Sequence, residues 1–209
     1  MKKIFFAIAL VFFAGTTLNA QPAQTDNRAA TFSARSDKEM NLITESSVGP
    51  LALGQKMPTA APAGAFFTNI KKFSYYKNSG TTYLLLDGKD TVGYVTTHPT
   101  KNTITEITTL SPKTATANGI IPGMSLVSAI SKPEVKIEIE YSYDADSWAI
   151  SFEYGKINFF AGESEFFYGL TNEAFEKIQS GYYSGNPIFQ LTPEYFDGKT
   201  IVSEIKISL

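Results

Sequence analysis

The chain has 209 residues and contains no cysteine. Disulfides, thiolate nucleophiles, thiolate metal sites and a lipid-modified N-terminal cysteine are therefore all excluded. An exported protein without disulfides depends on its apolar core for stability. We therefore expect a domain large enough to bury a full core.

Histidine is almost as scarce, because His98 is the only one in the chain. A hydroxyl nucleophile with a histidine base would need this residue, yet it precedes Pro99 in a polar stretch and no Gly-x-Ser-x-Gly elbow occurs. We expect His98 to be a surface turn residue. A histidine-rich metal site is excluded by the count alone.

Charge of one sign is also lacking, with 18 Lys and Arg against 20 Asp and Glu and a net charge of -2. This balance argues against a basic surface for nucleic acid or anionic membranes. The stretch LGQKM at residues 53–57 lacks the second glycine and the Lys-Ser/Thr pair of a phosphate loop. We predict no nucleic-acid partner, no metal and no cofactor.

The N-terminus has the three-part layout of a secretory signal peptide. Two lysines precede an apolar run over residues 4–13, and a small-residue stretch ends at Ala20. The alternative is a membrane anchor, but a bilayer-spanning helix needs roughly 20 apolar residues. We predict a signal peptide over residues 1–20, export to the periplasm or the extracellular space, and no transmembrane segment in the mature chain.

The rest of the chain divides into a tether and one domain. Residues 21–40 are polar and without periodicity, which is typical of a flexible tether. Residues 41–209 are enough for a single domain with a full core. Aromatic residues make up 13% of the chain, mainly Phe and Tyr, and favour strands.

Two glycine-punctuated stretches, at residues 43–54 and 118–124, open the two parts of this domain. We interpret each as an apolar run followed by a helix start, with Gly49, Gly54, Gly119 and Gly123 as turn residues of positive φ. Strands of similar pattern follow at residues 101–107 and 199–205. The pattern predicts two weakly related halves, 41–112 and 113–209. Superposition of these halves should place Gly54 near Gly123 and Glu106 over Glu204.

The predicted fold class is α+β, mostly antiparallel sheet with two or three short helices. Strands are expected at residues 70–77, 82–86, 91–96, 103–110, 135–143, 148–154, 156–160 and 199–208. The sequence DGKD at residues 87–90 predicts a hairpin. The last strand is expected to turn Ile201, Ile205 and Ile207 inward.

Helices are predicted from capping residues and spacing. Residues 124–130 would form one, with Met124, Val127 and Ile130 on one face. Thr171 is a predicted N-cap for residues 172–180, Gly181 a predicted stop, and Phe175 and Ile178 its core residues. Prolines 58 and 62 allow at most a broken turn over residues 55–64. The pair Thr192-Pro193 would start a further turn.

The chain resembles the RpoE-regulated envelope lipoproteins, a domain of unknown function in Gram-negative bacteria. The matching stretches are ITESSVGPL at 43–51, LDGKD at 86–90, TITEI at 103–107, NGIIPG at 118–123 and KTIVSEIKI at 199–207. It departs from the family in having no lipid-attachment cysteine at Ala20-Gln21 and prolines after the first glycine motif. The family has no known activity, so the resemblance implies no catalytic residue.

Carboxylates offer two further interpretations. Asp144 and Asp146 lie in a short turn that lacks the glycine and distal glutamate of a calcium loop, so a hairpin turn accounts for them better. Glu163 and Glu165 would suit glycoside hydrolysis only if one were buried and the two lay about 5–10 Å apart. Solvated loop residues are the simpler interpretation.

Aromatic residues cluster around the predicted second helix. They are Phe159, Phe160, Phe166, Phe167, Tyr168, Tyr182 and Tyr183. Core packing would account for many of them, but adjacent residues on a strand point to opposite faces. We predict a contact surface formed by Phe166, Phe167, Tyr168, Tyr182 and Tyr183.

The predicted function is that of a non-catalytic, exported binding or envelope-associated module. An envelope protein, a peptide or a glycan is the expected class of partner. The alternative is a carboxylate-based hydrolase directed at glycans, which would depend on Glu163 and Glu165 lining a deep pocket.

Overall fold

The computed structural model describes residues 41–76, 80–142, 147–161, 169–183 and 191–209. These residues form two sheets, two α-helices and a 3₁₀ turn at Pro193–Tyr195. The prediction of an α+β domain that is mostly antiparallel sheet is confirmed. No helix among the described residues combines the length and the apolar character needed to cross a bilayer.

The large sheet has eight antiparallel strands in the order β4-β5-β6-β7-β12-β11-β10-β9. Its strands are β4 (Asn69–Tyr76), β5 (Gly80–Asp87), β6 (Asp90–Thr97), β7 (Ile104–Thr109), β9 (Val135–Ser142), β10 (Ser147–Tyr154), β11 (Ile157–Ala161) and β12 (Val202–Ser208). Two four-stranded meanders therefore meet at the centre, where β7 pairs with β12 and Ile107 lies opposite Ile207. The predicted hairpin at residues 87–90 joins β5 to β6.

A second, small sheet has the order β3-β2-β1-β8, formed by β1 (Asn41–Ile43), β2 (Ser47–Val48), β3 (Leu51–Ala52) and β8 (Thr114–Thr116). Strands β1 and β8 are parallel, and Ile43 lies opposite Thr116. The sequence pattern predicts only a connector for the segment that contains β8. Local pattern does not reveal a parallel pairing between segments so distant in the chain.

The core lies against one face of the large sheet. Its sheet residues include Leu85, Val95, Ile107, Phe152, Phe159 and Ile205, and its facing residues include Ile43, Leu51, Phe66, Leu126, Ile178 and Phe196. The rings of Phe152 and Phe159 stack at 5.5 Å between centroids, and Phe196 meets Phe152 edge-on at 5.5 Å. Burial of such side chains is the main stabilising term of the fold.

The four glycines predicted to adopt positive φ all do so: Gly49 at 54°, Gly54 at 81°, Gly119 at 77° and Gly123 at 88°. Gly54 donates its N–H to the carbonyl of Ile104 at 2.8 Å, and Gly123 donates to that of Val202 at 2.8 Å. Gly54 and Gly123 thus attach their turns to the first residues of the central strands β7 and β12.

Helix α1 spans Leu126–Ile130 and buries Leu126, Ala129 and Ile130. The predicted end and the inward position of Ile130 are confirmed, whereas the predicted start at Met124 is wrong. Met124 and Val127 are only partly buried against the core. The carbonyl of Met124 accepts the N–H of Val202 at 2.8 Å. That bond ties Met124 to β12 ahead of the helix. Because the helix begins two residues later, Leu126 and Ala129 are the side chains that join Ile130 in the fully buried set.

Helix α2 spans Asn172–Tyr183 and begins as predicted, with the N–H of Ala174 donating to Oγ1 of Thr171 at 3.1 Å. Ile178 is buried and Phe175 is partly buried. The predicted stop at Gly181 is wrong, because one glycine weakens a helix by only about 1 kcal/mol. No helix occurs over residues 55–64, as the prolines predict.

Strand β12 begins at Val202, not at Lys199, and Ile201 is 47% exposed. The predicted inward position of Ile201 is therefore wrong, although Ile205 and Ile207 are buried. The register with β11 shifts at Ala161, which leaves Ser203 as an extra residue between the pairs of Glu204 and Val202. This bulge reverses the faces on its N-terminal side.

Candidate functional site

Most of the residues singled out in the sequence as candidates for binding or catalysis lie outside the described residues. This holds for Phe166, Phe167 and Tyr168, for the carboxylates Glu163 and Glu165, and for Asp144 and Asp146. Tyr182 and Tyr183 form the last turn of α2. The contact surface predicted from these aromatic residues stays a prediction.

One adjacent aromatic pair on a strand does follow the predicted alternation. Phe159 is fully buried against Phe152, whereas Phe160 lies on the opposite face of the sheet under Nζ of Lys206, 5.3 Å from the ring centroid. One ring of this pair enters the core and its neighbour does not.

The polar atoms of His98 bond within the turn that contains it. Its Nδ1 lies 3.3 Å from both the backbone nitrogen and Oγ1 of Thr100, and its carbonyl accepts the N–H of Asn102 at 3.2 Å. These contacts define a turn, and no carboxylate among the described residues is hydrogen-bonded to the ring, as a hydroxyl–histidine–carboxylate triad would require.

A pocket of about 290 Å³ opens between β1 and the turn that joins β10 to β11. Its walls are formed by Leu42, Ile43, Thr44, Glu45, Ala117, Glu134, Tyr154, Gly155 and Ile157. We refer to it as the Glu45–Glu134 pocket. Four segments of the chain meet here: the end of β1, the residue that follows β8, the residue before β9, and the turn between β10 and β11.

Two features position Glu45: the alternation of the β1 side chains between core and surface, and the close approach of the turn at Gly155. Ile43 points into the core with 1% exposure, while Leu42 stays 51% exposed at the pocket wall. Glu45 follows the strand, and its Oε1 approaches the backbone of Gly155 so closely that any Cβ there would collide with it. Gly155 has a φ of 61°, so the turn requires glycine for its backbone as well as for this approach.

Glu134 reaches the same pocket from the segment before β9. Its φ is 66°, in the left-handed region that costs an ordinary residue about 1–2 kcal/mol. The neighbouring backbone is held by the N–H of Val135, which donates to Lys132 O at 3.4 Å, and by Asn118 Nδ2, which donates to Pro133 O at 3.4 Å. A non-glycine residue held in this conformation marks a position worth testing for function.

The two carboxylates stand over an apolar floor. Ile43 and Ile157 are buried, and Tyr154 is half-buried beside them. Neither Glu45 nor Glu134 forms a hydrogen bond or an ion pair with any residue that the structure describes. Two exposed negative charges beside an apolar surface suit a ligand that combines a cation with a hydrocarbon part.

A second charged cluster lies on the sheet face opposite the core, where β7, β12 and β11 run side by side. Nζ of Lys206 lies 3.5 Å from Oε2 of Glu106 and over the ring of Phe160. Burial raises the pKa of Glu204, the nearby Lys206 partly offsets that rise, and Glu106 adds to it. Lys206 pairs with Glu106 and with the ring of Phe160 inside this cluster, which favours a structural role.

Sequence reasoning missed the Glu45–Glu134 pocket because its carboxylates are 89 positions apart and belong to no motif. The signals were indirect: Glu45 ends an apolar run, and Glu134 stands between a proline and an alternating strand. In the described residues no group of three or more His, Cys, Asp or Glu is placed to hold a metal ion.

Comparison with known proteins finds similarity only among solved structures. No family model and no curated protein matches the chain. Among solved structures, the chain is similar to the uncharacterized protein YfeY from Escherichia coli, with 15% identity over 80% of this chain and 99% of that one and a TM-score of 0.47. That protein is itself uncharacterized, so the similarity brings no activity, ligand or partner to this chain.

Proposed function

We propose that the protein is an exported, non-catalytic binding module of the bacterial cell envelope. The signal-peptide layout of residues 1–20 and the polar tether of residues 21–40 support export and a single domain over residues 41–209. The resemblance to the RpoE-regulated envelope lipoproteins supports an envelope location, without the lipid anchor. Purification from the periplasm with Gln21 as the first residue would support the assignment; retention of residues 1–20 would contradict it.

The Glu45–Glu134 pocket is the ligand site in this proposal, and its unpaired carboxylates are the observation that carries it. Among the described residues, neither charge has a partner at the mouth of this concavity, over Ile43 and Ile157. A surface carboxylate gains little from a single exposed ion pair, about 0–1 kcal/mol. Two carboxylates on one cation, with apolar contact beneath, provide more.

The ligand chemistry that fits is an alkylammonium or guanidinium group on a short hydrocarbon stem. Lysine and arginine side chains have this form, since their stems pack on apolar surface while the charge remains at the rim. An envelope protein or a peptide with an exposed basic side chain would meet these requirements. A neutral glycan would leave both carboxylates unpaired.

NMR titration of the mature chain with N-acetyl-lysine methylamide tests this assignment, with the norleucine analogue as the uncharged control. We expect shifts of backbone signals at residues 42–45, 134 and 154–157 for the lysine probe, and much weaker shifts for the norleucine probe. Glu45→Gln and Glu134→Gln should each weaken binding, whereas Glu173→Gln, which makes the same charge change on α2, should not. Equal binding of both probes would overturn the proposal.

The aromatic residues Phe166, Phe167, Tyr168, Tyr182 and Tyr183 are proposed as a second contact surface for the partner. Adjacent aromatic pairs beside glycines support it, because tyrosine offers a rigid apolar face with a polar tip. Tyr182→Ala with Tyr183→Ala should weaken partner binding by a few kcal/mol at most, with the magnitude of hot-spot truncations, and leave the melting temperature nearly unchanged. A large loss of stability would instead identify both rings as core.

A glycan hydrolase is the second candidate, and the pairing of two carboxylates at one pocket is the observation that favours it. Glycosidases place their acid in a buried, apolar setting, whereas the side chains of Glu45 and Glu134 are both exposed. The test is release of reducing sugar from purified peptidoglycan by the wild-type chain and by Glu45→Gln. Activity that is lost in the variant would favour the enzyme over the binding module.

We also propose that the two halves descend from a duplicated segment. Support comes from the same set of backbone hydrogen bonds at Gly54 and Gly123, and from the 98-residue spacing that relates both Ile104 to Val202 and Glu106 to Glu204. Superposition of the halves in an experimental structure tests it, and unrelated positions of Glu106 and Glu204 would contradict it.

A further inference from the structure

The turn that follows β8 contains the chain's only Asn-Gly sequence, at Asn118 and Gly119. Asparagine is chemically labile, and it is most labile before glycine, because glycine has no side chain to shield its backbone nitrogen. That nitrogen can attack Cγ of the asparagine and close a succinimide ring. The displaced amide group leaves as ammonia with the proton of the glycine nitrogen, and water then opens the ring to aspartate or isoaspartate.

The folded turn restrains the side-chain amide that would be attacked. Oγ1 of Thr116 donates to Oδ1 of Asn118 at 2.6 Å, and Nδ2 of Asn118 donates to the carbonyl of Pro133 at 3.4 Å. The first bond comes from the end of β8 and the second leads to the segment before β9. An amide held at both ends cannot rotate freely toward the nitrogen of Gly119.

The same threonine restrains the attacking nitrogen. The N–H of Gly119 donates to the carbonyl of Thr116 at 2.9 Å, and this proton must be released before the nitrogen can attack. The Thr116 hydroxyl also accepts the N–H of Ile120 at 2.8 Å, and Thr116 is only 3% exposed. One buried hydroxyl therefore bonds to the residues on both sides of Gly119.

We propose that Asn118 is a deamidation site and that the hydroxyl of Thr116 protects it while the turn is closed. The reaction then proceeds through local opening of the turn, so its rate follows the population of the open form. Neither aspartate nor isoaspartate has a side-chain N–H to donate to Pro133. Deamidation therefore removes the bond between this turn and the segment that carries Glu134, whether or not the pocket beside it binds a ligand.

Mass spectrometry of the exported chain, kept in mildly alkaline buffer with and without guanidinium chloride, measures the conversion of amide to acid. Trypsin releases residues 114–136 as one peptide, since Lys132 precedes a proline, and Asn118 is the only side-chain amide within it. We expect conversion to be at least about tenfold slower in the folded chain, because only the open turn reacts. Equal rates with and without denaturant, or no conversion in the denatured chain, would overturn the proposal.

Two substitutions at Thr116 test the role of its hydroxyl. Thr116→Val removes the hydroxyl with little change of side-chain size, so this variant should convert about fivefold faster than the wild type, the factor expected for one lost hydrogen bond. Thr116→Ser retains the hydroxyl and should convert at nearly the wild-type rate.

Thr114→Val is the matched control, because Thr114 is buried on the same strand and its hydroxyl bonds away from Asn118. Its Oγ1 donates to the carbonyl of Ser111 at 2.8 Å and lies 3.1 Å from Oγ1 of Thr109. This variant also loses a buried hydroxyl, yet it should convert no faster than the wild type. Equal rates for Thr116→Val and Thr114→Val would show that Thr116 does not protect the site.

Hydrogen exchange provides a measurement that needs no variant, should Thr116→Val fail to fold when checked by circular dichroism. The amides of Gly119 and Ile120 should both be protected in the wild-type chain, since each donates to Thr116. Free exchange of either amide would show that the turn is not closed and would overturn the proposal.

Discussion

The segments that lead to the central strands β7 and β12 bond to the starts of those strands in the same way, although the residues involved share only a glycine. We call each set of backbone hydrogen bonds between a glycine turn and the start of its central strand a joint. In the first joint, residues 54–57 bond to residues 102–104. In the second joint, residues 123–126 bond to residues 200–202. Ile104 N–H donates to Gln55 O at 2.8 Å and Val202 N–H to Met124 O at 2.8 Å. The corresponding bonds from Met57 and Leu126 measure 3.0 Å and 2.8 Å.

The segments beyond the two joints differ. In the first half, Pro58 and Pro62 come next and the chain continues without a helix as far as β4, whereas in the second half α1 begins at Leu126. Proline lacks the N–H that a helix interior needs. The same backbone anchor therefore supports an irregular segment on one side and a helix on the other.

The comparison teaches that the joint depends on backbone conformation and on one buried apolar residue, not on the other side chains. Gly54 and Gly123 both have positive φ, and the residue three positions later is buried in both joints. The two intermediate positions differ, with Gln55 and Lys56 in the first joint and Met124 and Ser125 in the second. The outer elements are where the halves diverge.

The largest expected effects come from two core isoleucines, one on each central strand. Ile107 and Ile205 are both fully buried, on β7 and β12 respectively. Truncation of either to alanine should lower the free energy of unfolding by about 2–5 kcal/mol, because each leaves a cavity in a packed core. Urea denaturation measures it, with Ile201→Ala as the exposed control. A loss below about 1 kcal/mol for one of them would show that the halves are not equally packed.

The glycines of the two joints should give the next largest effect. Gly54→Ala and Gly123→Ala should each lower the stability by about 1–2 kcal/mol, since positive φ is unfavourable for any residue with a Cβ. A steric collision is not the cause of this loss, because a Cβ at either position meets nothing within 4 Å. Gly198→Ala is the matched control, as it has equal space without positive φ. Unequal losses at Gly54 and Gly123 would break the equivalence of the joints.

Helix α2 belongs to the second half, and its N-cap supplies the third prediction. Thr171→Ala removes the bond from the N–H of Ala174 to Oγ1 and should cost about 1 kcal/mol. Thr171→Ser retains the acceptor and should cost much less. Thermal unfolding followed by circular dichroism distinguishes the two, and an unchanged melting temperature for Thr171→Ala would show that the cap contributes nothing.

Local patterns in the sequence predicted the parts of the fold that depend on neighbouring residues. The meanders, the Asp87–Asp90 hairpin, the turn glycines and the cap at Thr171 all follow from alternation, turn chemistry and capping. The inward position of Ile201 was mispredicted because the Ser203 bulge reverses the alternation, and the start of α1 because Met124 is bonded to β12. Both errors arise from pairings between distant segments.

The candidate site was less accessible to such reasoning. Glu45 and Glu134 come together only because the end of β1, through its parallel pairing with β8, is brought beside the segment that precedes β9. Neither the pairing nor the left-handed conformation of Glu134 has a local signature. The residues of a pocket that four segments form can be identified only once the topology is known.

The smallest expected effect concerns Glu204, which stands 98 residues after Glu106. Burial raises the pKa of Glu204 above its ordinary value of 4.5. The folded state then holds this proton more tightly than the unfolded state does, so the contribution of Glu204 to stability is present at low pH. It is lost as the pH rises from about 4.5 through the higher pKa of the folded state.

Glu204→Gln removes this pH dependence and should therefore raise the free energy of unfolding at neutral pH, where the wild-type carboxylate is charged. The gain should stay below about 1 kcal/mol, because the side chain is only partly buried and solvent screens its charge. Below the unfolded pKa, variant and wild type should differ little from each other. Glu106→Gln is the matched change in the first half: it removes a charge that raises the pKa of Glu204 but also the partner of Lys206 at 3.5 Å, so its effect should be smaller. Urea denaturation from about pH 4 to about pH 8 measures both, and a Glu204→Gln variant that is less stable than wild type at neutral pH would show that the carboxylate is stabilised by Lys206 more than burial disfavours it.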